Sequence, residues 1–75
     1  MSGPKFLRFY FHIAGDGQDF RDDEGEVFAS VEAAREHAAR VAYELRHDAY
    51  RGCSVCVIDT AGAEVARVLI GDGKR

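Results

Sequence analysis

From Leu7 to Ile13 apolar residues recur at every second position: Leu7, Phe9, Phe11 and Ile13 form one set, and Arg8, Tyr10 and His12 the other. A period of two is the period of a β-strand, whose successive side chains point to opposite faces. The alternation predicts a strand from about Phe6 to Ile13 with the first set turned to the core. The second set, extended back to Phe6, is amphipathic rather than polar. Phe6 and Tyr10 there are the first sign of a second surface that avoids water.

From Ser30 the period changes. Val31, Ala34, Ala38, Val41, Ala42 and Leu45 recur every three or four residues, which is one stripe of a helix. Ser30 suits the N-cap, where its hydroxyl accepts from a free amide of the first turn. Glu32 suits the positive end of the helix dipole. The spacing predicts a helix from Ser30 to Asp48, stopped by Arg51-Gly52. Its stripe is rich in alanine, so the helix can approach a sheet closely. Arg35, Glu36, Arg40, Glu44 and Arg46 fall off the stripe and belong in water.

Between strand and helix runs an acidic, glycine-punctuated connector, Gly15 to Glu26. Gly15-Asp16-Gly17 reads as a turn, Asp19 to Asp22 as a short returning strand with Phe20 inward, and Asp23-Glu24-Gly25 as a second turn. Glu26 to Phe28 is short and extended. Beyond the helix, Cys53 to Ile58 and Glu64 to Ile70 are two more strands, joined by Asp59-Thr60-Ala61-Gly62 as a tight hairpin. The expected fold is a two-layer α+β domain. A small antiparallel sheet in the order β-β-α-β-β carries one helix on one face. One compact unit spans residues 5–72, with flexible ends at 1–4 and 73–75.

At 75 residues the chain is one domain at most. A domain of this size buries only about 60% of the surface its unfolded chain exposes, so a metal, a disulfide or a partner subunit is a common source of added stability. Net charge is −3, with both signs mixed along the chain. That balance argues against a nucleic-acid binder working by phosphate neutralisation. No segment has the apolar length of a membrane helix or the layout of a signal peptide. The expected compartment is the cytoplasm, where Cys53 and Cys56 stay reduced.

Each candidate for chemistry has a plainer reading beside it. Cys53-Ser54-Val55-Cys56 has the spacing of a redox dithiol or half a zinc site. It lies in a strand, though, where residues three apart point to opposite faces, and two buried small hydrophobes are the plainer reading. His12, His37 and His47 have no metal-site spacing. Asp16, Asp19, Asp22, Asp23, Glu24 and Glu26 crowd the connector, but without the alternation of a calcium loop. A solvated turn is the plainer reading. No catalytic residue, metal ligand or cofactor is assigned.

Arg8-Phe9-Tyr10-Phe11-His12, then Asp22-Asp23-Glu24-Gly25, then Val31-Glu32-Ala33-Ala34-Arg35, then Val57-Ile58-Asp59 with Gly62, resembles the domain of unknown function 6894 family of short bacterial proteins. The likeness runs from about Lys5 to Asp72. It implies a compact stand-alone domain and brings no activity with it.

The expected function is a homodimeric interaction or regulatory module without catalytic activity. Phe6, Arg8, Tyr10 and His12 form its expected interface, because one helix covers only one face of the sheet. Two alternatives stand beside it: an antitoxin-like module that binds another protein, and a small enzyme or cation-binding protein using His12 and the acidic connector.

Overall fold

The computed structural model describes residues 6–15, 17–47 and 50–71. The expected ends, 1–4 and 73–75, lie outside them, as do Asp16, Asp48 and Ala49. The elements are β1 (Leu7–Gly15), β2 (Gln18–Phe20), β3 (Glu26–Phe28), α1 (Val31–Glu44), β4 (Ser54–Ile58) and β5 (Glu64–Leu69). All pairings are antiparallel, and the sheet runs β2-β1-β4-β5, with β3 also on β1. One helix on one antiparallel sheet is the expected α+β class. The connector supplies two short strands rather than one.

Strand β1 is central because its alternation satisfies both of its neighbours. Phe11 faces Val57 and Ile13 faces Val55, so these four share the face under the helix. Phe9 is the large aromatic at the centre of the core, beside Val55, Val57, Cys53 and Ile70, and all five are buried. Leu7 was expected to join them but is 43% exposed. The cause is reach: α1 lies mainly over β4 and β5, and the first residue of β1 extends beyond its cover. Phe20 was expected to point inward but is 45% exposed: it opposes Ile13 from the edge strand, with its ring edge-on to Tyr50 at 5.3 Å between ring centres.

The helix presents Ala34, Ala38 and Ala42 to the sheet, all buried. Three alanines in register let its backbone come close to valine-bearing strands. Ser30 is the N-cap, its Oγ accepting from Ala33 N–H at 3.1 Å. The helix ends at Glu44, short of the expected Asp48. Arg46 N–H turns back to Tyr43 O at 3.3 Å, and this tightened turn closes the helix before Arg51-Gly52 is reached.

Asp59 organises the β4–β5 hairpin: its Oδ1 accepts from Ala61 and Ala63 N–H, both at 2.9 Å. Gly62 in that turn has φ +87°, as the turn signal predicts. Just beyond, Val57 opposes Ala66 but Ile58 opposes Glu64, so Val65 is one residue extra in β5. Such a bulge re-aims side chains. Residues three apart on a regular strand face opposite ways, but Glu64 and Arg67 meet, with two hydrogen bonds of 2.9 and 3.0 Å.

Candidate functional site

The edge of β1 away from β4 carries the most specific arrangement in the molecule. Ile13 opposes Phe20 and Phe9 opposes Glu26. The step along β1 is therefore four residues, against six along the connector. The two extra residues leave the sheet as an excursion between β2 and β3. A regular strand would offer Phe11 a carbonyl at this point. Here Asp22 takes that place, its Oδ2 accepting from Phe11 N–H at 3.1 Å. Asp22 Oδ1 accepts from Glu24 and Gly25 N–H, both at 3.1 Å, which shapes the turn. Asp22 N–H in turn donates to His12 Nδ1 at 3.0 Å.

Burial alone would raise the Asp22 carboxyl. The N–H groups of Gly25, Phe11 and Glu24, with His12 nearby, outweigh it and hold the group below its ordinary range. A carboxylate with three backbone donors is a structural anion. Its lone pairs are committed, so it is a poor general base.

This edge is where the expected interface residues lie. Arg8 donates through its guanidinium to Glu24 O at 2.6 Å. The ring of Tyr10 lies under Gly25, where an added Cβ would stand 2.9 Å from Tyr10 Cδ1 and 2.7 Å from Phe9 O. His12 holds Asp22 N–H. Arg8, Tyr10 and His12 thus all grip the connector of their own chain, while Phe6 stands 62% exposed at the start of the strand. The structure gathers three of the four residues but gives them partners within the chain.

Among the described residues, no three His, Cys, Asp or Glu side chains stand close enough to share a metal ion. Asp22 spends both oxygens on amides, and Glu26 faces His37 Nε2 at 3.3 Å. His37 also rests edge-on against Phe11, 5.1 Å between ring centres. That pairing joins the helix to the connector across eleven residues of sequence, and no local pattern announces it.

Cys53 and Cys56 lie on opposite faces. Cys53 belongs to the core under α1, its Sγ 3.4 Å from Gly15 O. Cys56 faces His12 and Arg67 across the sheet on the side away from the helix. Burial pushes its thiol up, against the opposing pull of Arg67. A thiol that stays protonated is a weak nucleophile. His12 beside it has Nδ1 on a backbone amide rather than a carboxylate, so no Cys-His-Asp relay is assembled.

Sequence reasoning missed one feature. Along β5 and the C-terminal half of α1 lies an open groove of about 370 Å³, lined by Ala39, Ala42, Tyr43, Arg46 and Val68 among others. Tyr43 is 63% exposed, and the Arg46 guanidinium covers its ring at 3.5 Å. The available signal was an aromatic residue off the apolar stripe of an otherwise charged helix face.

Among the described residues no helix is long and apolar enough to cross a membrane. No curated protein and no solved structure matches the chain. A family model matches it from residue 8 to residue 71, and the chain belongs to that family, described as Domain of unknown function (DUF6894).

Proposed function

We propose that the protein is a small cytoplasmic interaction or regulatory module that works as a homodimer and carries no catalytic chemistry of its own. One observation carries the reading. Helix α1 covers one face of the sheet, and among the described residues the other face has no second layer beyond the Asp22–Gly25 turn, so that Tyr10, His12 and Ile58 are left half-buried there beside Arg67. A small domain with one covered face gains most from a second copy, because a two-fold contact uses the same patch twice. A standard interface takes about 800 Å² from each partner, roughly a sixth of the 5004 Å² exposed here. The commitments of Asp22 and His12, and the raised thiol of Cys56, weigh against the small-enzyme alternative. Sedimentation equilibrium at about 100 μM tests the dimer: twice the chain mass is expected, and a monomer there leaves any self-affinity too weak to matter.

A further inference from the structure

We propose that the second copy joins along β5, so that two sheets become one across a two-fold axis. This rests on the homodimer reading but puts the contact on an edge of the sheet, not on the face that carries Tyr10. The two edges of the sheet are built differently. On one side β2 and β3 are three residues each, interrupted by the Asp22 excursion and carrying Asp19 and Glu26. Short, broken and charged strands are how proteins close an edge to pairing. On the other side β5 runs six residues with β4 on one flank and no strand among the described residues on the other. Ile70 N–H donates to Cys53 O at 2.8 Å. By the alternation of an antiparallel ladder, Val68 and Ala66 also turn their backbone groups to β4, and Arg67 and Leu69 turn theirs outward.

The chemistry of this edge is complementary to itself. An antiparallel dyad near the middle of β5 brings the Arg67 side of each strand against the Glu64 half of the other. The bulge at Val65 has already put both charges on one face, so two internal ion pairs become one four-charge cluster. On the helix side the same dyad brings the two α1 helices together over the joined sheet. Each copy then contributes the exposed ring of Tyr43 to the groove beside Ala39, Ala42 and Val68. Because the opposite edge is blocked, the assembly closes at two copies and does not propagate as a fibre.

Charge exchange at exposed positions tests this without disturbing the core. Glu64→Arg and Arg67→Glu each set like charges across the dyad, and each is expected to weaken self-association about tenfold. An equimolar mixture of the two restores the opposite charges across the dyad while the pair inside each chain stays like-charged, so its mixed dimer is expected to be about tenfold stronger than the dimer of either variant alone. Circular dichroism establishes that both variants are folded, and Tyr10→Glu is measured beside them. A dimer indifferent to both exchanges, or a mixture that fails to recover, overturns the β5 surface. A dimer lost only with Tyr10→Glu keeps the homodimer and moves it to the open face of the sheet. A wild-type monomer at about 100 μM overturns the homodimer and this surface together, and leaves β5 to a strand of another protein.

Discussion

His12 and Asp22 hold each other through opposite ends of the same residue pair. The ring Nδ1 accepts from the Asp22 amide at 3.0 Å, while the Asp22 carboxylate takes the N–H of Phe11, the residue before His12, at 3.1 Å. An accepting Nδ1 leaves the ring proton on Nε2. Ten residues of connector are thereby fastened to the central strand without a regular ladder. An acidic turn that reads as solvated in the sequence is a structural joint.

Asp22→Asn is therefore not conservative. The carboxylate spends one oxygen on Phe11 and the other on Glu24 and Gly25. An amide has one accepting oxygen, so one of these sets must go unpaired. A half-buried N–H without a partner costs about 2 kcal/mol. Urea unfolding is expected to show that loss, with Asp22→Ala at least as large. A variant within about 0.5 kcal/mol of wild type would mean the joint contributes nothing.

Acid acts on the same joint. The Asp22 carboxyl titrates below its ordinary range in the folded chain, so the unfolded chain takes up the proton first as pH falls. Its contribution is complete above the unfolded value near 3.9 and disappears as pH drops through the folded one. Glu64 is also held low, by its hydrogen bonds to Arg67, but it is fully exposed and adds little. Wild type is expected to lose stability below about pH 5 more steeply than Asp22→Asn. Parallel stability curves for the two proteins would remove Asp22 from the acid response.

Gly25 is the tightest point of the turn. It has φ +72°, and a Cβ there would meet Phe9 O at 2.7 Å and the Tyr10 ring at 2.9 Å. Gly62 has φ +87° with nothing within 4 Å. Alanine at Gly62 incurs only the backbone penalty, about 1–2 kcal/mol. Alanine at Gly25 adds a clash with a strand carbonyl that has no room to retreat, for a total of roughly 3 kcal/mol or more. Equal melting temperatures for the two variants would show that the Tyr10 ring and the turn move apart freely.

The sequence made legible whatever depends on local period. The alternation of β1, the alanine stripe of α1, the Ser30 cap and the Asp59 hairpin each lie within one element. What escaped it is set by pairing across distance. Arg8, Tyr10 and His12 are half apolar and half polar, and that pattern does not by itself show that they also hold their own chain's connector. Only the two-residue offset between the β2 and β3 registers shows that the connector returns to them. The exposure of Leu7 and the early end of α1 likewise depend on where the helix comes to rest. The sidedness of Cys53 and Cys56 needs only the pleat and was readable in advance.

Ala38 tests the helix layer. It is fully buried in the middle of the stripe, while Glu36 is exposed. Ala38→Asp puts an unpaired charge into the buried cluster that contains Val55 and Val57, at a cost of several kcal/mol, comparable to the whole stability of a small domain. It is expected to abolish the cooperative melt, whereas Glu36→Ala keeps it. Near wild-type melting of Ala38→Asp would mean that α1 detaches from the sheet at little cost.

The thiols give the last prediction, and it follows from sidedness. Cys53 lies in the core under α1, with its Sγ against Gly15 O. Cys56 is on the other face, opposite His12 and Arg67, with its thiol pushed up by burial. A disulfide needs Cβ atoms about 4 Å apart and pointing at each other, which two positions on opposite faces of a sheet do not provide. Reaction with a thiol reagent needs a thiolate and access; access is scarce at both buried cysteines, and burial also disfavours the thiolate of Cys56. The native protein is expected to label at least about tenfold more slowly than the urea-unfolded chain, since labelling must wait for opening. Intact mass after air exposure is expected to match two free thiols. A mass two hydrogens lighter and reversed by reductant, or one zinc per chain after purification, would show that β4 rearranges to bring the two sulfurs together.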